Sequence, residues 1–150
     1  MAPVLVFLFF SVLEGSLLVF SVGAFRYAAS QGAIQDAELG DSSNADTTAI
    51  GVIQASPGVT ASSISRIEIY RLMQSGGQLT VDTTKVNTYP TAGSPTVNWP
   101  PSARNVRNGF TDFLGVTIYY QYQWKSGKLL GASALELTQS FNVRIEPQTY

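Results

Sequence analysis

Residues 3–25, PVLVFLFFSVLEGSLLVFSVGAF, form an apolar run interrupted by a single charged side chain, Glu14. About 20 such residues suffice to cross the hydrocarbon core of a bilayer. Lipid or protein must surround these side chains, which limits the folds open to the chain before any other residue is read. A carboxylate inside such a segment costs several kcal/mol in lipid and marks a functional position by default.

A secretory signal needs a basic leading region, a short apolar core and a small-residue cleavage site. Here only Met1-Ala2 precedes the run, and the run is too long. A simple inner-membrane anchor carries Lys or Arg on its cytoplasmic flank. Arg26 lies at the wrong end for that orientation. The expectation is that a leader with its basic residues preceded this sequence; an unusual but complete N-terminus is the alternative.

Glu14 and Arg26 are the only charged side chains before Gln35, and the rest are spread over residues 36–150 among many Ser, Thr, Asn and Gln. The chain is therefore an apolar rod, residues 1–38, joined to a polar head, residues 39–150. Net charge is −1 without a basic run, which gives no electrostatic case for nucleic acid. Cysteine and histidine are absent. Thiol chemistry, structural zinc and Ser–His or Cys–His dyads are excluded with them, and no cofactor is expected.

The helical pattern continues past Phe25 through RYAASQGAIQDAEL, and Gly40 is a natural stop. A helix over residues 3–38 would be about 54 Å long, nearly twice the bilayer core. Small residues recur every four positions, as Ala24, Ala28, Gly32 and as Ala29, Ala33, Ala37. Such rows let helices approach closely. They serve either neighbouring rods or the chain's own head, and a rod has a face for each. Gly15, beside Glu14, joins the candidate assembly positions.

In the head, residues 39–45 read as a loop, with Asp46 as N-cap of a short helix over residues 47–55. Asp41, Asn44 and Asp46 lack the ligand spacing of a calcium loop, so linker and cap is the preferred reading. Residues 63–72 form a strand, Ser75-Gly76-Gly77-Gln78 a hairpin turn, and residues 79–86 a weaker strand. Residues 87–108, with four prolines, read as a long loop pinned to the head by Tyr89 and Trp99. Residues 112–124 alternate, with Val116, Ile118, Tyr120, Tyr122 and Trp124 on one face. Lys125-Ser126-Gly127-Lys128 is a turn, and residues 135–145 alternate again. Three or four antiparallel strands with one apolar face need a helix to cover them. The expected fold is α+β, a long protruding helix whose C-terminal half packs on a small antiparallel sheet.

Pro3-Val-Leu-Val-Phe-Leu-Phe-Phe-Ser-Val-Leu-Glu14 resembles the proline, apolar run and glutamate of TadE-like pilins of tight-adherence pili, within the type IV pilin-like superfamily. Tyr27-Ala28-Ala29-Ser30-Gln31-Gly32-Ala33 resembles that family's Ala-rich segment, at matching distance from the glutamate. Phe113-Leu-Gly-Val-Thr-Ile118 and Val143-Arg-Ile-Glu-Pro147 resemble the strands that close its head. The resemblance covers both ends of the chain and leaves the middle variable. Family members carry a further Glu-Phe pair before the proline, which this sequence lacks. The resemblance implies a structural, non-enzymatic subunit. It would be held in the inner membrane, handled by pilus assembly machinery and packed as a helical homo-oligomer with heads exposed at the cell surface.

In such a bundle Glu14 would be neutralised by Arg26 or by the Met1 amine of a neighbour, which would fix register. The alternative is a protonated Glu14 bonded within its own helix or to Ser11. A minor pilin that primes assembly is a second reading of function. An anchored hydrolase built on Glu136 and Glu146, or on Asp82 and Asp112, is a remote third, since no nucleophile and base are paired. Tyr119, Tyr27 and the Tyr89/Trp99 loop are contact candidates, with packing in the head the preferred reading.

Overall fold

The computed structural model describes residues 2–107, 109–125 and 134–148. Helix α1 (Ala2–Leu39) runs unbroken for 38 residues, about 57 Å. Pro3 sits in its first turn, where a missing N–H costs nothing. Gly40 ends it in the left-handed region at φ +57°, donating its N–H to Asp36 O at 3.0 Å. Within the apolar half, Ser11 and Ser16 turn their hydroxyls back onto the carbonyls of Phe7 and Val12, both at 2.9 Å.

The two halves of α1 lie in different surroundings. Large apolar side chains from Val4 to Phe20 are mostly exposed, whereas Phe25, Ala28, Ala29, Ala33 and Ala37 are sealed. Helix α2 (Ala45–Ala55) crosses the sealed half at Gly32. A Cβ there would stand 2.5 Å from Ile53 Cγ1, so glycine is what permits the approach. Asn44, not Asp46, occupies the N-cap of α2, without a side-chain cap bond. Asp46 instead lies inside the first turn, where a buried arginine claims its carboxylate.

Five strands follow: β1 (Ile64–Ser75), β2 (Gln78–Pro90), β3 (Thr96–Val97), β4 (Phe113–Tyr122) and β5 (Leu135–Arg144). They form one antiparallel sheet in the order β3-β2-β1-β4-β5. Gly76 and Gly77, at φ +59° and +83°, close the β1–β2 hairpin, as a tight two-residue turn requires. Strand β2 runs on to Pro90, beyond the expected end near Val86, and its Asn87 and Thr88 pair with Val97 and Thr96. The long loop is thereby shortened and a fifth strand gained. Strands β4 and β5 pair along their full length, from Phe113↔Arg144 to Tyr122↔Leu135. The turn expected at residues 125–128 lies, beyond Lys125, outside the described residues.

The core forms where the sealed half of α1 and Ile53 meet Ile67, Ile69, Leu114, Val116, Ile118 and Tyr120 of the sheet. Phe25 stacks on Tyr120, with centroids 3.7 Å apart and planes within 12°. A second, polar tie sits at the far end. Fully buried Arg104 donates to Asp36 Oδ1 at 2.9 Å, to Gly40 O at 3.2 Å and to Asp46 Oδ1. Asp46 Oδ2 also accepts from Asn87 Nδ2 at 2.8 Å and from Tyr89 Oη. Asn87 clasps the Trp99 backbone through Trp99 O and N at 2.7 and 2.6 Å. The Arg104 guanidinium thus ties α1 and α2 to the proline-rich segment, Asp46 extends the tie to β2, and Trp99 is buried with Tyr89 half-buried against the core.

Candidate functional site at the apolar helix

Glu14 is 5% exposed although the helical residues around it are largely open. What covers it is the head of its own chain. Beyond the Phe25–Tyr120 stack, the end of β4 continues down the helix towards its N-terminus. There Tyr122 Oη and the Lys125 backbone N–H both donate to Glu14 Oε1, at 2.8 and 2.9 Å. Burial, then the facing carboxylate, pushes the Tyr122 phenol up to about 12, so it stays a donor at any physiological pH. Trp124 stands edge-on to Tyr122 with centroids 5.4 Å apart. Between this lip and the helix opens a cleft of about 190 Å³, walled by Leu17, Phe20 and Phe25 and rimmed by Ser21, Gln121 and Lys125.

The two partners expected for Glu14 belong to a neighbouring copy. Arg26 is exposed, 12 residues and about 18 Å further along the helix. Met1 lies outside the described residues. The other local candidate, Ser11, donates to Phe7 O instead.

The candidate assembly positions divide into two groups. Gly15 is exposed, with nothing within 4 Å of where its Cβ would be. Ala24 is half-buried against Gly58, whose added Cβ would stand 2.9 Å from that of Ala24. Ala28, Ala29, Gly32 and Ala33 are enclosed by α2 and the sheet, so the small-residue rows are used inside the chain. The helix's exposed large apolar side chains cluster between Val4 and Phe20.

The carboxylate pairs are tied or far apart. Asp82 and Asp112 both face Arg71, at 3.8 and 2.9 Å, and Asp112 also accepts the Asn105 N–H at 2.8 Å. A hydrogen bond from the Thr84 side chain is the main cause holding the Asp82 carboxyl below its usual range. Glu136 lies opposite Gln121 near the lip, whereas Glu146, ten residues on and about 30 Å along an extended chain, donates its N–H to Ala37 O. Among the described residues no three carboxylates converge as a metal site. Tyr119 is held by Glu68 at 2.9 Å and lies under Arg66, whereas Tyr27 is exposed.

Tyr122, Trp124 and Lys125 are the site residues the sequence does not announce. Tyr122 and Trp124 belong to the alternating face of a strand and read as sheet core, and Lys125 reads as part of a turn. No family model matches the chain, and no curated protein or solved structure is significantly similar to it.

Proposed function

We propose that this protein is a structural filament subunit of the TadE-like pilin kind. Its apolar half-helix rests in the inner membrane before assembly and packs against copies of itself afterwards, with the heads outside. The observation that carries this reading is the helix of Pro3–Leu39, whose most apolar 18-residue window has mean hydropathy 2.3 and is only 6% buried. Such a surface needs lipid or other apolar helices around it. The head supports the same role, since its polar ties hold the fold together.

A second reading, an anchored accessory subunit that primes assembly, is favoured by one detail. Glu14 finds donors within its own chain and does not depend on a neighbour for them. Introducing a charge on the exposed helix separates the roles of helix and head. Val12→Lys should abolish sedimentable polymer on detergent removal and leave the head's circular dichroism unchanged. Undiminished polymer would remove the apolar helix from the assembly contact.

A further inference from the structure

The buried network around Arg104 is unbalanced in charge. Arg104 and Asp36 are fully buried and Asp46 nearly so, which sets two carboxyl groups against one guanidinium away from water. A buried carboxylate without a counter-charge is strongly disfavoured and takes up a proton instead. The surrounding elements bring no second cation to the pair. Strand β2 contributes Asn87 and Tyr89, both bound to Asp46. Glu38 and Asp41, beside Asp36 in the chain, and Glu146, whose N–H reaches Ala37 O, are exposed or partly exposed. Strand β4 carries no charged residue, and β5 only Glu136, opposite Gln121, and Arg144, which turns to Thr111 and Gly109 O.

Hydrogen bonding tells the two carboxyl groups apart. Asp46 accepts from Arg104 at Oδ1 and from Asn87 and Tyr89 at Oδ2. Asp36 accepts from Arg104 at Oδ1, and its buried Oδ2 meets no hydrogen-bond partner among the described residues. The Asp36 carboxyl nevertheless stands within hydrogen-bonding reach of Asp46. Two carboxylates repel in such a contact, and a single proton between them makes it favourable. Burial is the largest influence on Asp36 and outweighs the nearby guanidinium, raising its carboxyl to about 7.

We propose that Asp36 is a carboxylic acid in the folded protein, donating its proton from Oδ2 to Asp46, and that this proton makes the clamp between α1, α2 and Arg104 sensitive to pH. With the proton the cluster is neutral; without it one negative charge is left buried at the C-terminal end of α1. The folded chain binds the proton, and the unfolded chain, with an ordinary carboxyl near 3.8, has released it. The contribution to stability is therefore full below about pH 4 and is lost as pH rises through about 7. Over that window the loss approaches about tenfold in the folding constant for each pH unit. The chain has no histidine and no cysteine. Between about pH 5.5 and 7.5 no other side chain ordinarily changes its charge, so the effect stands alone.

Denaturant titration of the full-length protein in detergent, at about pH 5.5, 6.5 and 7.5, reads the effect. The wild-type folding constant should fall by about tenfold or more from the first pH to the last. Asp36→Asn keeps a neutral side chain that can donate to Asp46 at every pH, and its folding constant should show no such fall. A wild-type constant that is flat or rises over this range would overturn the proposal, as would a fall that persists undiminished in Asp36→Asn. Carbon-13 NMR of the five aspartate carboxyl groups in the wild-type protein decides the matter even where the variant does not fold. The Asp36 carboxyl carbon, assigned through its backbone, should keep the protonated shift at about pH 5.5 and titrate near neutral pH. Five ionised aspartates at that pH, or a proton held by an aspartate other than Asp36, would contradict the assignment.

Discussion

Tyr122 Oη and the Lys125 N–H both donate to Glu14 Oε1. Glutamine offers a carbonyl oxygen in the same place, and alanine offers none. Glu14→Ala, which removes this acceptor, should therefore lower unfolding free energy by about 1–3 kcal/mol, and by more than Glu14→Gln. Denaturant titration in detergent, followed by near-ultraviolet circular dichroism, measures both. Equal losses would show that charge, not the acceptor, holds the lip. The same pair bears on assembly, because a register contact between Glu14 and a neighbour's Arg26 would be lost in Glu14→Gln. The account expects that variant to assemble. Glu14 stands out in the sequence through its setting, but its partner Tyr122 lies 108 residues away. Asp46 misleads for a related reason. Its spacing suits an N-cap, yet Arg104, 58 residues on, takes the carboxylate into a buried network that no local pattern reveals.

Helix α1 performs two tasks along one axis, and glycine marks the division. At Gly32 an added Cβ would stand 2.5 Å from Ile53, whereas at Gly15 it meets nothing within 4 Å. Gly32→Ala should cost about 1–3 kcal/mol through overpacking in the wild-type chain, and less when introduced into Ile53→Ala. Gly15→Ala should be neutral or should stabilise by up to about 1 kcal/mol through helix propensity. Thermal unfolding of the four variants decides the matter, and a large loss at Gly15 would reveal a packing contact there. The elements written in local pattern are the ones a sequence reading finds. They are α1 with its Gly40 stop, the Gly76-Gly77 turn, and the alternation of β4 and β5. Strand β3 and the end of β2 escape such a reading because Pro90 and Pro95 suggest a loop. What extends the sheet there is long-range satisfaction, as Asn87 clasps Trp99 and Tyr89 reaches Asp46.

The molecule as a whole is a head that completes its own core and a helix that does not. Phe25, Ala28, Ala29, Ala33 and Ala37 are enclosed by α2 and the sheet, and Val4 to Phe20 present apolar surface outward. The small-residue rows, legible as close-packing positions, are absorbed by the head. Lipid and like helices are equivalent as apolar surroundings, so under the proposed filament role one surface would serve both before and after assembly. Electron microscopy of negatively stained protein after detergent removal tests this most directly. The account predicts fibres of uniform width, absent in Val12→Lys. Discrete particles, or protein that remains monomeric in vesicles under the same conditions, would contradict it.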